Sequence, residues 1–277
     1  MPGRKPLSSS GPLLYGLSVF VRRMVRRLRW SFGNERWALC GSIDPLPELV
    51  VAHRSILIRK LEGTDLRLQS NKTASLGIAA PLVDGTILEP GETFSFWRLV
   101  GRPTAGRGFP PGLQLSFGRM VAMTGGGLCQ MSNLLHWMVL HTPLEVTERH
   151  RHSFDPFPDY RRTVPFGTGA TVFYNYLDLC FRNGTEQRFQ VRVGLDDEYL
   201  TGEIRCEAPL PEVCRIEERD HRFVRRKGVV YRENRLWRVR MDPKTSRTID
   251  ETLIMENCVA VSYDADAVPG LKVEEED

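Results

Sequence analysis

Three consecutive glycines, Gly125, Gly126 and Gly127, are the feature that most constrains the fold of this chain. They stand between an apolar run at residues 120–123 and a run at 128–140 whose apolar residues recur at helical spacing. Glycine lets a backbone turn sharply and approach another backbone closely, because it has no side chain and tolerates positive φ. The sequence therefore predicts a strand, a glycine turn and then a helix, with a cysteine at the start of that helix.

That cysteine, Cys129, carries the chemistry of the segment. Free N–H groups and the dipole at a helix N-terminus favour an anion, so we expect thiolate over thiol there and a more nucleophilic sulfur. The same N–H groups can stabilise an oxyanion, with Gln130 as a further donor. The predicted substrate-binding residues are Gly125, Gly126, Gly127, Gln130 and Ser132.

A thiolate enzyme also needs an imidazole, and the candidates follow the helix. His150 and His152 lie in a run, residues 144–152, whose alternation predicts a strand with both rings on one face. A strand-borne histidine facing a helix-borne cysteine is the arrangement of cysteine peptidases. Glu148, on the same face, or Asp178, on a later strand, can orient the ring. His150 is preferred as the base, although nothing in the sequence separates it from His152. The predicted catalytic residues are Cys129, His150, His152 and Glu148.

Other roles of this segment stay open. A glycine turn before a helix can bind a ligand without covalent chemistry, and a buried cysteine is often an inert small apolar residue. A metal site built from Cys129, His136, His150 and His152 is disfavoured on geometric grounds. The first two residues are roughly 10 Å apart along a helix, which is too far for one tetrahedral zinc. We therefore predict no metal and no cofactor.

The pattern of apolar and charged residues divides the chain into four regions. They are a basic amphipathic segment at 1–33, a mixed helical connector at 34–65, a compact domain at 66–205 and a β-rich extension with an acidic tail at 206–277. The predicted fold class is α+β. In it, the helix of Cys129 packs on an antiparallel sheet that bears His150 and His152.

The C-terminal region alternates apolar and basic residues, which is typical of strands with one solvated face. A hairpin around Glu233 and Asn234 is expected to join strands at 224–231 and 236–241. We interpret its arginines as a solvated sheet face rather than a nucleic-acid surface, because no recognition helix or stacking platform accompanies them. The acidic residues at 273–277 are expected to be a solvated end.

Charge and cysteine content bear on location. The net charge is only +4, but arginines crowd the first thirty residues. Six widely spaced cysteines fit a reducing compartment, so we expect a cytoplasmic protein. The apolar run at 13–21 precedes its arginines, the reverse of a secretory signal, and is too short to span a bilayer. Leu17, Phe20 and Met24 recur at helical spacing, which predicts a helix that either lies on an anionic membrane or packs on the domain.

Several motifs together match a known pattern. They are Pro90-Gly91-Glu92-Thr93-Phe94-Ser95-Phe96, Gly125-Gly126-Gly127-Leu128-Cys129-Gln130-Met131-Ser132, Glu148-Arg149-His150-Arg151-His152-Ser153, Phe166-Gly167-Thr168-Gly169-Ala170-Thr171-Val172 and Glu256-Asn257. On these residues the chain resembles the VanW-like family, named for a protein encoded in certain bacterial vancomycin-resistance gene clusters. The resemblance implies a link to antibiotic resistance and the cell wall, without an assigned reaction. Many relatives have aspartate where this chain has Gly169, so that position cannot provide a third catalytic group.

Residues and resemblance together favour a cysteine-dependent acyl transferase or amidase, of the peptidase or transpeptidase kind, that acts on peptidoglycan or its precursors. The thiol and the imidazole indicate the chemistry, and the resemblance alone indicates the substrate class. The alternative is a non-catalytic binding module for a cell-wall peptide or precursor, which uses the glycine turn as a carboxylate nest. The expected partner is that peptide or precursor, with peripheral membrane contact through the N-terminal helix and no nucleic acid.

Overall fold

The computed structural model describes residues 12–39, 41–58, 66–116, 119–151, 155, 163–174 and 177–276. Its helices are α1 (Pro12–Phe32), α2 (Leu66–Val83), α3 (Phe96–Val100) and α4 (Cys129–Val139), with a short 3-10 helix at Ala105–Arg107. The first ten strands are β1 (Arg36–Trp37), β2 (Glu48–Ile56), β3 (Thr86–Leu88), β4 (Glu92–Ser95), β5 (Pro111–Ser116), β6 (Arg119–Thr124), β7 (Glu145–Glu148), β8 (Cys180–Arg182), β9 (Phe189–Leu195) and β10 (Tyr199–Cys206). The C-terminal strands are β11 (Val213–Arg226), β12 (Val229–Met241), β13 (Thr248–Ala260) and β14 (Val273–Glu276). The predicted α+β class is confirmed.

Three sheets and one hairpin order these strands. The first sheet has the order β1-β4-β8-β7, the second β2-β10-β9-β3 and the C-terminal sheet β13-β12-β11-β14, while β5 and β6 form a hairpin. Pairing is antiparallel except where β1 meets β4 and where β11 meets β14. Strands β2 and β10 lie far apart in sequence, so the second sheet closes only when distant segments meet.

Helix α4 packs across strands β2 and β10 of the second sheet. Its apolar side chains Met131, Leu135 and Met138 are fully buried. Burial of such side chains stabilises the fold by roughly 1.5–3 kcal/mol each. Gly202 of β10 makes the approach possible, because a Cβ atom there would lie 2.6 Å from the Met138 methyl carbon. The buried middle of α4 therefore fixes the position of its first residues.

The helical connector predicted at 34–65 is wrong for its described part. Strands β1 and β2 occupy it, and β2 pairs with β10 from Glu48 to Ile56. The exposure of side chains largely alternates along β2, as expected for a strand with one face against the core. Segment 48–56 becomes a strand because it pairs with a partner strand about 150 residues away. The local sequence pattern does not contain that partner. Residues 59–65 lie outside the described residues.

The C-terminal hairpin turns at a different place from the one predicted. Strand β12 runs unbroken through Glu233 and Asn234, and the turn lies at Lys227 and Gly228, with φ of 50° and 78°. Positive φ at both central residues gives the tight turn that matches the twist of paired strands, and glycine favours it. Asn234 instead uses its amide inside the sheet, where it donates to the carbonyl oxygen of Phe166 at 2.9 Å.

The acidic end predicted to be solvated is strand β14, which pairs in parallel with β11. Glu276 contacts Arg226 at 2.6 Å, and Glu275 contacts Arg225 at 3.1 Å. The glutamates at 274–276 are exposed, as predicted for a solvated end, but they belong to a paired strand rather than to a free tail. Charge complementarity between the two segments brings them together, and the sequence places them about fifty residues apart.

Buried polar contacts join the C-terminal sheet to the domain. Arg232 and Asp155, both almost fully buried, form an ion pair at 3.1 Å. Asn257 donates to the side-chain oxygen of Asn234 at 2.8 Å. Gly167, at φ of 86°, lies so close to Asn257 that a Cβ atom there would meet its amide nitrogen at 2.2 Å. This packing gives a physical reason for glycine and asparagine at these two motif positions.

Candidate functional site

The glycines before α4 are held by close backbone approach. Gly125 and Gly127 have φ of 73° and 95°, and the N–H of Gly125 donates to the carbonyl oxygen of Pro110 at 3.0 Å. A Cβ atom on Gly126 would lie 2.0 Å from the carbonyl oxygen of Gly112 in the neighbouring hairpin. Side chains at these positions would thus clash or strain the backbone. Helix α4 then begins at Cys129.

The thiol of Cys129 is half-buried and points toward a carbonyl group. Its Sγ atom lies 3.7 Å from the carbonyl oxygen of Val172. Burial raises the pKa of the Cys129 thiol above its ordinary value, and the contact with Val172 opposes this shift only in part. This direction is the opposite of the one that the helix dipole alone predicts. The resting sulfur at neutral pH is therefore the thiol.

Cys129 lines a cleft with a volume of about 370 Å³. Its other lining residues come from several elements and include Arg23, Trp97, Arg102, Gln114, Gly125 and Tyr174. None of the described lining residues is acidic. A cleft of this size, with an aromatic wall and a few polar groups, fits part of a peptide or a small ligand.

Two arginines give this cleft its charge. Burial lowers the pKa of Arg23, and the positive charge of Arg102 lowers it further. Arg23 is held in place by Tyr174: its Nε–H donates to the Tyr174 carbonyl oxygen at 3.4 Å, and its guanidinium lies 5.6 Å from the ring centre. Trp97 packs edge-on against the same ring at 5.6 Å. The cleft therefore presents fixed positive charge beside the thiol, which favours an anionic ligand.

His150 lies outside the described lining of this cleft. Strand β7 ends at Glu148, two residues before it, so the predicted strand through His150 is wrong. Strand β7 also belongs to the first sheet, whereas α4 packs on the second. The expectation that α4 packs on a sheet bearing the histidine is therefore wrong for His150. His152 lies outside the described residues.

Glu148 connects His150 to helix α1. It contacts His150 Nε2 at 3.0 Å and accepts from Arg26 at 2.6 Å and from the backbone N–H of Asp178 at 3.1 Å. Burial raises the pKa of Glu148, but hydrogen bonds from His150 and Arg26 outweigh it and lower the pKa to about 2. Glu148 is therefore a stable carboxylate that anchors the N-terminal helix.

Asp178 completes this buried network. It accepts from Ser95 Oγ at 2.6 Å and from the backbone N–H groups of Trp97 and Leu179 at 3.1 and 2.9 Å. Burial raises its pKa to about 6 despite these contacts. Arg26 lies 4.0 Å away. Asp178 holds the start of helix α3, and among the described residues no hydrogen bond joins it to His150.

Two residues predicted to bind substrate face the scaffold instead. Gln130 donates through its side-chain nitrogen to the Ser55 hydroxyl at 3.0 Å and to the Ile56 carbonyl oxygen at 2.8 Å. Ser132 is buried and donates to the Ala170 carbonyl oxygen at 2.7 Å. Both side chains satisfy backbone or hydroxyl groups of neighbouring segments, which costs less than leaving those groups unpaired. Gly125 and Gly127 do line the cleft, and Gly126 packs on the hairpin.

The histidine of α4 has a structural contact. His136 is buried, and its Nδ1 atom pairs with the Thr168 carbonyl oxygen at 2.6 Å. Burial, followed by the charge of Arg149, lowers its pKa to about 3, so it stays neutral. Across the described ranges, no group of three or more histidine, cysteine, aspartate or glutamate side chains is arranged so that it could hold a metal ion.

The arginines of the cleft were missed in the sequence. Arg102 follows Gly101 in a glycine- and proline-rich loop, the kind of segment that often carries binding groups. Arg23 had no such signal, because it belongs to an N-terminal helix whose position relative to the domain is a tertiary property.

Comparison with known proteins places these features in a family. A family model described as "VanW like protein" matches residues 71–205. Vancomycin B-type resistance protein VanW of Enterococcus faecalis (strain ATCC 700802 / V583) is 32% identical over 260 residues, covering 94% of this chain and 94% of that protein. Uncharacterized protein YoaR of Bacillus subtilis (strain 168) is 31% identical over 128 residues, covering 44% of this chain and 40% of that protein. No solved structure matches. The chain therefore belongs to the VanW-like family.

Proposed function

We propose that this protein acts in glycopeptide resistance by binding an anionic cell-wall peptide or peptidoglycan precursor in the cleft beside Cys129. Its similarity to a vancomycin-resistance protein supports the biological setting. The observation that carries the proposal is that Arg23 and Arg102 line the same cleft, whose described lining has no carboxylate. Two guanidinium groups that repel each other are each stabilised when an anion binds between them.

A terminal carboxylate suits this arrangement. Cell-wall stem peptides end in a carboxylate, and guanidinium groups bind carboxylates through paired hydrogen bonds. The rings of Trp97 and Tyr174 offer an apolar wall for the small side chains that precede it. Gly125 and Gly127 line the same space, so the ligand can approach the backbone closely.

Calorimetric titration of the full chain with diacetyl-Lys-D-Ala-D-Ala tests this proposal. We expect the free acid to bind more tightly than its C-terminal amide. Arg102→Gln should weaken binding of the acid by about 10- to 100-fold, because one charge-assisted contact is lost. Arg54→Gln is the matched control, since Arg54 stacks on Tyr199 outside this cleft. Equal affinities for acid and amide, or equal effects of the two variants, would contradict the proposal.

Cys129 supports a second function, acyl transfer or amide hydrolysis, because its thiol lines the same cleft. In this reaction the sulfur attacks the peptide carbonyl carbon, the C–N bond breaks, and the leaving amine takes the proton released by the thiol. Water or a second amine then releases the acyl group from the thioester. The raised pKa of the thiol means that a bound substrate or a base has to promote its ionisation.

Cys129→Ala separates the two functions. If the protein is an enzyme, this variant should bind the peptide as wild type does but release no D-alanine from it. The rate of iodoacetamide labelling, measured against pH in wild type, His150→Ala and His152→Ala, tests the predicted base. A labelling curve that neither substitution moves would contradict a Cys-His pair and leave binding as the function.

A further inference from the structure

Helix α1 docks on the domain through a mixed face of arginines and apolar residues and leaves its larger apolar face outside. Its contacts with the domain come from Arg23, Arg26, Val19 and Trp30. The opposite face carries large apolar side chains that are exposed: Leu13, Leu14, Leu17, Phe20, Val21, Met24, Val25, Leu28 and Phe32. An amphipathic helix on a globular domain ordinarily has the reverse orientation, with its apolar stripe toward the core.

The exposed apolar side chains form one continuous stripe. At 100° per residue they cover about 140° of the helix circumference, centred opposite the docked face. The exposed fractions of Leu17, Phe20 and Val25 are 59%, 61% and 60%, so these are fully presented side chains rather than edges of the core. A surface of this kind on a folded protein marks an interaction site.

The charges around the stripe indicate its partner. Helix α1 contains no acidic residue. On the helical wheel Arg27 borders one side of the stripe and Arg22 borders the other, beside Arg29, which also contacts Glu35. Apolar side chains with arginines on both flanks match the acyl chains and anionic headgroups of a bilayer surface. A second copy of the same helix would instead bring these arginines together, which is repulsive.

We propose that α1 lies in the surface of an anionic membrane through this stripe, while Arg23 and Arg26 hold the helix on the domain. None of the helices in the described ranges is both long and apolar enough to cross a bilayer. The proposed association is peripheral, with the helix parallel to the membrane plane, because the exposed apolar residues run along the whole length of the helix. Because Arg23 belongs to both α1 and the cleft, the helix that meets the membrane also lines the cleft. The membrane contact does not depend on which ligand the cleft binds.

Flotation of the full chain with lipid vesicles tests the membrane proposal. We expect binding to mixed phosphatidylcholine and phosphatidylglycerol vesicles, weaker binding to pure phosphatidylcholine, and loss of the difference at high salt. The double substitution Leu17→Asn with Phe20→Asn should lower the partition coefficient at least tenfold, because two apolar side chains that the bilayer would bury are lost. Ile249→Asn with Leu253→Asn, exposed apolar residues of strand β13, is the matched control and should leave binding unchanged.

Three measurements can overturn the membrane proposal or control for misfolding: flotation, light scattering and circular dichroism. Failure of the wild-type chain to float with anionic vesicles, or equal floating of the α1 variant and wild type, overturns the proposal. Light scattering of the chain without lipid tests the other occupant. A stable dimer that Leu17→Asn with Phe20→Asn converts to a monomer, together with no vesicle binding, would assign the stripe to a second copy and also overturn it. Circular dichroism confirms that both variants are folded.

Discussion

Helix α1 and the C-terminal sheet are the two most arginine-rich parts of the chain, and their arginines have different neighbours. In the sheet, Arg219 contacts Glu217 and Glu251, and Arg240 contacts Glu212 and Asp250, all within 3.3 Å. These pairs lie on the exposed surface of the sheet, within a strand or across strands. In α1, Arg26 reaches into the domain and pairs with Glu148 where water is largely excluded.

This difference shows that a basic stretch acquires its role from what the fold places opposite it. Exposed arginines of the sheet such as Arg219 and Arg240 are neutralised in place by nearby glutamates and aspartates, and exposed pairs of this kind contribute little to stability. Arg26 of α1 meets carboxylates that are buried, so its charge is needed by the domain. Arg23 points into the cleft and meets no carboxylate among the described lining residues, which leaves its charge for a ligand.

Removal of Arg26 should cause the largest loss of stability among the variants that test this difference. Arg26→Ala removes the nearest cation from the buried carboxylates Glu148 and Asp178 and leaves Arg29 at 3.9 Å from Glu148, which should lower the free energy of unfolding by about 3 kcal/mol. Urea denaturation at neutral pH measures this. Arg219→Ala in the C-terminal sheet, whose arginine is exposed, should change the unfolding midpoint very little. Similar losses in both variants would remove the distinction between the two regions.

The buried carboxylates at α1 should also make the free energy of unfolding depend on pH. Glu148 has its pKa lowered from 4.5 to about 2, so its contribution is fully present above pH 4.5 and is lost as pH falls through about 2. Asp178 has its pKa raised from 3.8 to about 6, so its contribution is fully present below pH 3.8 and is lost as pH rises through about 6. The free energy of unfolding should therefore increase as pH falls from above 6 toward 4, and then decrease.

Glu148→Gln isolates the acidic part of this profile. We expect the variant to lose most of the decrease below pH 4.5, which corresponds to roughly 3 kcal/mol for the wild-type side chain. Glu251→Gln, in the C-terminal sheet, should keep the wild-type profile because its carboxylate is exposed. Chemical denaturation at a series of pH values measures both. An unchanged acidic decrease in Glu148→Gln would show that the carboxylates at α1 do not control stability.

Neutralising the acidic strand should have the smallest effect on stability and a visible effect on binding. The substitutions Glu274→Gln, Glu275→Gln and Glu276→Gln remove the partners of arginines in β11. Exposed pairs contribute little to folding, so the melting temperature should stay close to that of wild type. The unmatched arginines should increase retention on heparin in a salt-sensitive manner. Retention equal to that of wild type would mean that β14 does not neutralise this face.

Parts of the site were predictable because they depend on neighbours in sequence. The glycines before a helical pattern predict that Cys129 is the first residue of α4, as the structure has it. The glycine turn and the helical pattern lie in one short segment. The position of Cys129 in a cleft required more, since that cleft also uses the loop of Arg102 and the helix of Arg23. The alternation of residues around His150 predicted a strand there, but β7 ends at Glu148. The side chain of Glu148 accepts a hydrogen bond from Arg26 of helix α1.

The sequence by itself determined the α+β class, the family, the glycine turn and the amphipathic character of α1, because each is written in local spacing or in motifs. Tertiary structure alone decided which face of α1 meets the domain, that β2 joins β10, that the acidic end becomes β14, and that arginines rather than histidine accompany the described part of the Cys129 cleft. The physical reason is that these outcomes depend on contacts between segments distant in the chain. Such contacts are selected by the burial of charges and apolar surface, and no short window of sequence contains both partners.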